Sequence, residues 1–344
     1  QTKVYGDTDP VLTYTVSGLK NNDQPTILTG SLVREVGESV GTYEIQQGSL
    51  SAPTDYTLVY QAADLAITPA VLTVKANAQT KIYGDTDPVL TYTVSGLQGT
   101  DRVTGSLVRE VGESVGTYEI QQGSLSAPTD YTLVYQAADL TITPAVLTVK
   151  ANAQTKIYGD TDPGLTYTVS GLKNNDQPTI LTGSLVREVG ESVGTYEIQQ
   201  GSLSAPSDYT LVYQAADLAI TPAVLTVTAD VQTKVYGDTD PVLTYTVSGL
   251  KNNDQQTSIS GVLVRDNGEE VGSYSITQGT IQASTNYTLA FQSANLTITP
   301  ALLTIQAEAK TKVYGDADPI LTYTVSGLKN NDQPTILTGT LTRD

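Results

Sequence analysis

Tyr209-Thr210-Leu211-Val212-Tyr213-Gln214-Ala215-Ala216-Asp217-Leu218-Ala219-Ile220-Thr221-Pro222-Ala223-Val224-Leu225 decides how this chain is built. Apolar and polar residues alternate through Tyr209–Tyr213 and again through Leu218–Thr221, the period-two signature of half-buried strands. Only a few residues, Pro222 among them, then separate Ile220 from a further apolar strand pattern starting near Val224. Proline fixes φ, so this short link restricts swing far more than a Gly/Ser linker would. The stretch reads as the last strand of one unit handed directly to the first strand of the next.

Working outward, the same phrase returns along the chain. Tyr-Gly-Asp begins at Tyr5, Tyr83, Tyr158, Tyr236 and Tyr314, at intervals of 78, 75, 78 and 78 residues. Thr-Pro-Ala ends at Ala70, Ala145, Ala223 and Ala301. The units are therefore 1–70, lacking its first strand, then 71–145, 146–223, 224–301 and an incomplete 302–344. Both chain ends fall inside a repeat, so a longer parent chain is expected. Residues 1–70 and 154–223 differ only at Val4/Ile157, Val11/Gly164 and Thr54/Ser207. Unit 71–145 is shorter in one loop, where Gln98–Gly105 replaces the longer Lys20–Gly30, which marks that loop as exposed. Solenoid periods run at about 20–50 residues, so a longer repeat can enclose its own small core. The expectation is beads on a string.

In unit 146–223, strands are expected at Leu147–Ala151, Leu165–Val169, Tyr196–Ile198, Tyr209–Tyr213 and Leu218–Thr221, with shorter ones around Ile157 and Leu185. A short helical turn is expected near Lys173–Thr179. Gly, Pro, Asn and Asp separate the runs. Six or seven strands suit an all-β fold, an antiparallel sandwich of immunoglobulin-like kind, with a β-grasp-like sheet as the alternative. Gly194-Thr195-Tyr196 suggests a tyrosine corner, a ring whose hydroxyl ties down a nearby loop; a core tyrosine with a solvated hydroxyl is the alternative. Strands of about 7–10 residues give roughly 30 Å per unit, and the expected product is a thin, extended rod. Unit 146–223 has a net charge of −4. Screening over about 8 Å means that straightness must come from the junction rather than from charge repulsion.

The recurring Lys-[Val/Ile]-Tyr-Gly-Asp-x-Asp-Pro-x-Leu-Thr-Tyr-Thr-Val-Ser-Gly-Leu, then Val-Gly-[Ser/Thr]-Tyr-[Glu/Ser]-Ile-x-Gln-Gly, [Asp/Asn]-Tyr-Thr-Leu and Ile-Thr-Pro-Ala, resembles the MBG domain of YGX type. The resemblance spans essentially the whole chain, with the loop of 71–145 as its one departure. It implies tandem modules of large bacterial surface and secreted adhesins, including filamentous-haemagglutinin-like and biofilm-matrix proteins. It implies no fixed ligand and no catalytic residue.

Composition narrows the function classes. The 344 residues include no Cys, His, Met or Trp. That removes disulfides, thiolate nucleophiles, Cys or His metal ligands and a Ser-His-Asp triad. A net charge of −18 and a pI near 4.2 disfavour nucleic acid and anionic membrane surfaces. No apolar run approaches the roughly 20 residues of a membrane helix, so no membrane insertion is expected in this segment. The expected partners are neighbouring repeats and, in an assembling module, like chains.

Each candidate site in the sequence has a plainer structural reading beside the functional one. Asp160 and Asp162, with Asp85 and Asp87, Asp238 and Asp240, and the matching pairs Asp7/Asp9 and Asp316/Asp318, are the candidates for calcium, a hard cation that favours carboxylates. The plainer reading is a turn with Gly159 supplying a permissive φ and Pro163 a stop. Asp176 also recurs. Glu197, Asp208, Asp217 and Tyr213 become Ser275, Asn286, Asn295 and Phe291 in another copy, so none is essential to an activity all copies share. Paired carboxylates for glycoside hydrolysis would recur along the chain without an aromatic cleft. Thr166-Tyr167-Thr168 suggests an ice- or glycan-binding face, or simply an exposed strand. Lys156, recurring as Lys3, Lys81, Lys234 and Lys312, would form an isopeptide bond only if buried beside an acid; an exposed strand-edge lysine is the alternative. The resulting expectation is a non-enzymatic extracellular stalk of a bacterial adhesin, without a catalytic site or cofactor, with a filament or matrix module and a glycan-binding repeat as alternatives.

Overall fold

A computed structural model describes residues 1–344. It is all-β, with single 3-10 turns and no α-helix. Contacts divide the chain into two compact units. One holds Gln1–Val149, Val169–Thr182 and Ser204–Val212; the other holds Lys150–Thr168, Gly183–Leu203 and Tyr213–Asp344.

In the first unit, one complete repeat shows the plan. Its strands are β1 (Ala70–Ala76), β2 (Gln79–Ile82), β3 (Tyr92–Ser95), β4 (Val108–Arg109), β5 (Gly116–Gln121), β6 (Tyr131–Gln136) and β7 (Ala138–Thr143). They form a three-stranded sheet, β6-β1-β3, and a four-stranded sheet, β2-β7-β5-β4. Leu72 and Val74 of β1 are fully buried, as are Ile120 of β5 and Leu140 of β7. Val74, Ile120 and Leu140 join Leu107 and Leu125 in one cluster, so the two sheets face each other across a shared core. Two packed sheets without a helix make a sandwich rather than a β-grasp.

The sheets are not wholly antiparallel as expected. β1 pairs parallel with β6 (Leu72 opposite Leu133), and β2 pairs parallel with β7 (Lys81 opposite Ile142). The reason is two bent segments. Residues 70–82 cross from one sheet to the other at Asn77-Ala78, and residues 131–143 do so at Ala137. The segments lie side by side in the same direction, so both halves pair parallel. Side-chain alternation reports which face a residue occupies, not which way its neighbour runs.

Also in the first unit, residues 1–70 form only the four-stranded sheet: Thr2–Val4, Ala63–Thr68, Gly41–Gln46 and Val33–Arg34. In the second unit, the same sheet recurs as Gln154–Ile157, Ala216–Thr221, Gly194–Gln199 and Val186–Arg187. The whole sandwich recurs over 223–299, with Ala223–Ala229 between Tyr245–Ser248 and Tyr287–Gln292. Strands Thr304–Ala307 and Tyr323–Ser326 close that unit. The expected helical turn is a 3-10 turn at Pro178–Ile180, slightly later than the sequence suggests.

Between β7 and the next strand, Ala145–Ala151, stands a single residue, Pro144. The cores are less private than beads would require. Tyr158 and Ile220 of one copy belong to the same buried cluster as Leu225, Val227 and Tyr287 of the next, with Val193 and Tyr196 packed against it.

Candidate functional site: the junction between repeats

The Tyr-Gly-Asp turn faces the following repeat. In the first unit, the Tyr83 ring meets the Tyr209 ring edge-on, centroids 5.3 Å apart and planes at 76°. Such a T-shaped pair adds about 0.5–1.5 kcal/mol to the burial of the rings. Both hydroxyls donate to one carboxylate oxygen of Asp176, Tyr83 at 3.1 Å and Tyr209 at 2.7 Å. The Lys173 amide donates to the Tyr209 hydroxyl at 2.8 Å. Burial, with the Asp176 hydrogen bond, pushes the Tyr209 phenol up to about 12. Burial and the same carboxylate also raise Tyr83, outweighing an opposing hydrogen bond from Asn174 that is the largest single influence on it.

Local sequence places each part. Asn174 and Asn175 take positive φ, 52° and 62°, a conformation asparagine tolerates better than most residues. They turn the chain so that the Asp176 amide reaches the Lys173 carbonyl at 2.8 Å. Gly84 is required twice over: its φ is +78°, and a Cβ there would sit 2.4 Å from Lys173 Cβ. Asp85 then pairs with Lys173 Nζ at 2.9 Å. A second tie lies nearby, where the Val115 amide donates to Asp208 Oδ1 at 2.6 Å and the Ala145 amide to the Asp208 carbonyl at 3.0 Å.

The clasp is repeated within each unit. In the first, Tyr5 packs on Tyr131 and donates to Asp101 at 3.0 Å. In the second, Tyr158 packs on Tyr287 and donates to Asp254 at 3.1 Å, and Tyr236 donates to Asp332 at 3.2 Å. Copy-to-copy variation looks different once geometry is known. Asn286 replaces the Asp208 type, yet its Oδ1 still accepts from the Val193 amide at 2.9 Å. The substitution preserves an acceptor, so the tie survives it. Sequence reading takes Tyr-Gly-Asp as an isolated turn and misses the clasp; the signal was an aspartate that recurs in the loop of every copy, after Asn-Asn in four of them and after Gly99-Thr100 as Asp101.

Each of the first four repeats also carries an ion-pair network around a buried lysine. Lys81 is buried, not an exposed edge residue, and its Nζ lies 2.6 Å from both Asp87 and Glu113. Arg109 grips Asp87 through Nε at 2.7 Å and Nη2 at 3.1 Å, reaches Glu113, and donates to the Glu110 and Gly112 carbonyls. Its guanidinium stands 5.5 Å over the Tyr118 ring, whose hydroxyl donates to the Ser114 carbonyl at 2.8 Å. The corner expected at Gly194-Thr195-Tyr196 has the same geometry, with Tyr196 donating to Ser192. Arg109 first and Lys81 second hold the Asp87 carboxyl down to about 2. Burial acts to lower the Lys81 ammonium, but Asp87 and Glu113 outweigh it and keep the ammonium above its usual range. Lys156, with Asp162 and Glu191, and Lys234, with Asp240 and Glu269, repeat the network. A buried lysine beside an acid meets the placement an isopeptide bond needs. An ammonium without a free lone pair and a carboxylate held ionised by arginine are the wrong states for that condensation.

The six calcium candidates therefore divide by partner. Asp87, Asp162 and Asp240 point into their own repeat's Lys–Arg network. Asp85, Asp160 and Asp238 pair with Lys173, Lys251 and Lys329 of the following repeat at 2.9, 3.2 and 3.1 Å. The structure does not bring the two carboxylates of a turn together on one ligand. Of the Thr166 and Thr168 pair, Thr166 accepts from Asn152 and Gln154 side chains.

The description of the MBG domain (YGX type) matches residues 1–66, 72–141, 147–219, 225–297 and 303–344. The chain belongs to the MBG domain family. No curated protein matches it. Among solved structures, a Drosophila N-cadherin EC1-4 crystal structure is similar at 7% identity and a TM-score of 0.20, covering 77% of this chain and 85% of that one. In these MBG repeats, the Tyr-Gly-Asp motif that names the type is the part that grips the next copy. None of the MBG repeats contains a helix long and apolar enough to cross a membrane.

Proposed function

We propose that these MBG repeats are a non-enzymatic structural stalk of a bacterial extracellular adhesin, holding an adhesive domain away from the cell surface during adhesion or biofilm formation. The observation that supports this is the recurring clasp. A spacer must resist folding back at its joints, and here three joints combine a one-residue proline link, an edge-on tyrosine pair and a carboxylate that both tyrosines share. The chemistry of the side chains suits the same role: carboxylates are neutralised by Lys and Arg, which favours fixed geometry over reactivity. Small-angle scattering on chains of increasing repeat number is the test. The stalk reading expects the maximum dimension to grow in proportion to the number of repeats; a compact particle whose size barely changes overturns it.

A further inference from the structure

Between the strands Val264–Arg265 and Gly272–Thr277 of repeat 224–301, the chain turns through Asp266-Asn267-Gly268-Glu269-Glu270. Packing requires the glycine. A Cβ on Gly268 would lie 2.1 Å from the Tyr274 ring, and Gly37, Gly112 and Gly190 meet Tyr43, Tyr118 and Tyr196 in the same way. The residue before the glycine has no such constraint. It is Val36, Val111 or Val189 in the matching turns, each almost fully exposed, and Asn267, also exposed, here. Of all the asparagines in the chain, Asn267 alone precedes a glycine.

This turn is also tied down less firmly than its counterparts. The Gly268 amide has no main-chain partner. In the matching turns the Glu44, Glu119 and Glu197 amides donate to the side chains of Glu35, Glu110 and Glu188 at 3.2 Å. Here Ser275 stands opposite Asp266, and only the main-chain bond is kept, from the Asp266 amide to the Ser275 carbonyl at 2.9 Å. Beyond Gly268 the chain runs straight into the ion-pair network of the repeat. The Gly268 carbonyl accepts from Arg265 Nη1 at 2.6 Å, and Glu269 accepts from Arg265 Nη2 and from the buried Lys234, each at 2.5 Å.

We propose that Asn267 is a site of slow self-modification, at which the Gly268 amide attacks the Asn267 carboxamide and isoaspartate replaces the asparagine. The Gly268 nitrogen gives its proton to hydroxide and bonds to Asn267 Cγ. The side-chain nitrogen takes up a proton from water and leaves as ammonia, closing a cyclic imide. Water then opens that ring. Attack at Cγ gives aspartate; attack at the main-chain carbonyl carbon of residue 267 gives isoaspartate, whose main chain runs through Cβ and Cγ. The step needs only water, like other covalent changes intrinsic to the chain. A side chain on the following residue would shield the attacking nitrogen, and glycine has none. Valine offers no carboxamide, so the matching turns at Val36, Val111 and Val189 are inert. Isoaspartate lengthens the main chain by a methylene immediately before Gly268. The Gly268 carbonyl and Glu269 are thereby moved off Arg265, and Lys234 keeps Asp240 as its remaining carboxylate. Taking a partner from a buried charge is destabilising, so a change at an exposed turn reaches the interior of this one repeat.

The test ages the 344-residue chain in mildly alkaline buffer, which favours the deprotonated amide, and follows each asparagine by peptide mass spectrometry. Labelling by isoaspartyl methyltransferase detects the isoaspartate. The expected result is loss of the amide from Asn267 ahead of every other asparagine, with isoaspartate as the main product, and no labelling at this turn in N267V, which copies the matching turns. A second readout follows the network. Trypsin applied to the folded, aged chain should cut after Arg265 while Arg34, Arg109 and Arg187 stay resistant. The fresh chain, and N267D, which carries the new charge without the longer main chain, should resist cutting after Arg265. An Asn267 that converts no faster than the exposed Asn295, or an aged chain as resistant after Arg265 as the fresh one, overturns the proposal.

Discussion

Two junctions in the first unit hold the same centre inside different rims. Tyr5 with Tyr131 and Tyr83 with Tyr209 have equal centroid separations of 5.3 Å and equal angles of 76°. Tyr131 reaches Asp101 at 2.6 Å and Tyr209 reaches Asp176 at 2.7 Å. Val40 and Val115 amides both find an aspartate at 2.6 Å. Around the first centre, however, the loop is three residues shorter, has no 3-10 turn, and places Gln98 where the second has Lys173. The Asp85–Lys173 ion pair therefore has no equivalent at Asp7. Loss of a half-exposed pair leaves the rings unmoved, as expected when exposed pairs contribute about 0–1 kcal/mol and ring burial several times more. The aromatic centre sets the geometry, and the rim adjusts to it.

The largest effect that would break this equivalence is removal of a ring. Tyr83→Ala should destabilise its junction by about 3 kcal/mol, because a nearly buried ring and its hydrogen bond are both lost. Tyr5→Ala should cost a similar amount, read as matched shifts in denaturant unfolding; unequal shifts would show that the rims matter more than argued. Tyr83→Phe isolates the hydroxyl and should cost about 1 kcal/mol. It leaves Asp176 with Tyr209 as its remaining phenol donor.

Alkali separates the centres without mutation. A phenol raised in the folded state contributes stability that is present below its unfolded pKa, near 10, and is lost as pH rises through the folded value. Tyr209, pushed up by burial and Asp176 to about 12, should thus ionise late in an absorbance titration, with its junction loosening between those values. Tyr131 is raised for the same reasons and should follow the same pattern. Early ionisation of either would mean an open clasp.

The rim variants come next. Lys173→Gln should cost under about 1 kcal/mol and lose even that in high salt, while Gln98→Lys should add a comparable salt-sensitive pair with Asp7. A large, salt-independent change in either would relocate the clasp's strength to the rim. Calcium should do least. Because Asp85 and Asp87 already face Lys173, Lys81 and Arg109, melting curves with millimolar calcium and with chelator should superimpose. A clear upward shift with calcium would show that the turn rearranges to bind it.

Much of this architecture was legible in the sequence. Alternation in Leu147–Ala151, Tyr209–Tyr213 and Leu218–Thr221 located strands, and the Thr-Pro-Ala step located the tight link. What could not be read was pairing direction and contact across the link. Nothing in Leu72-Thr73-Val74 states that Leu133 lies parallel to it, and nothing in Tyr83-Gly84-Asp85 names residues about ninety positions away. Burial of Lys81 was likewise hidden, because a lysine in an alternating pattern looks the same whether its partner is water or Asp87.

Sequence alone determined the repeat, its strands and its lack of sulfur and imidazole chemistry, since periodicity and composition are local properties of the chain. Tertiary structure alone decided that two bent segments pair parallel, that Asp85 and Asp87 turn to different partners, and that a tyrosine of one copy completes the core of the next. Those outcomes depend on which groups come to lie together when water is excluded, and separations of tens of residues along the chain carry no record of that.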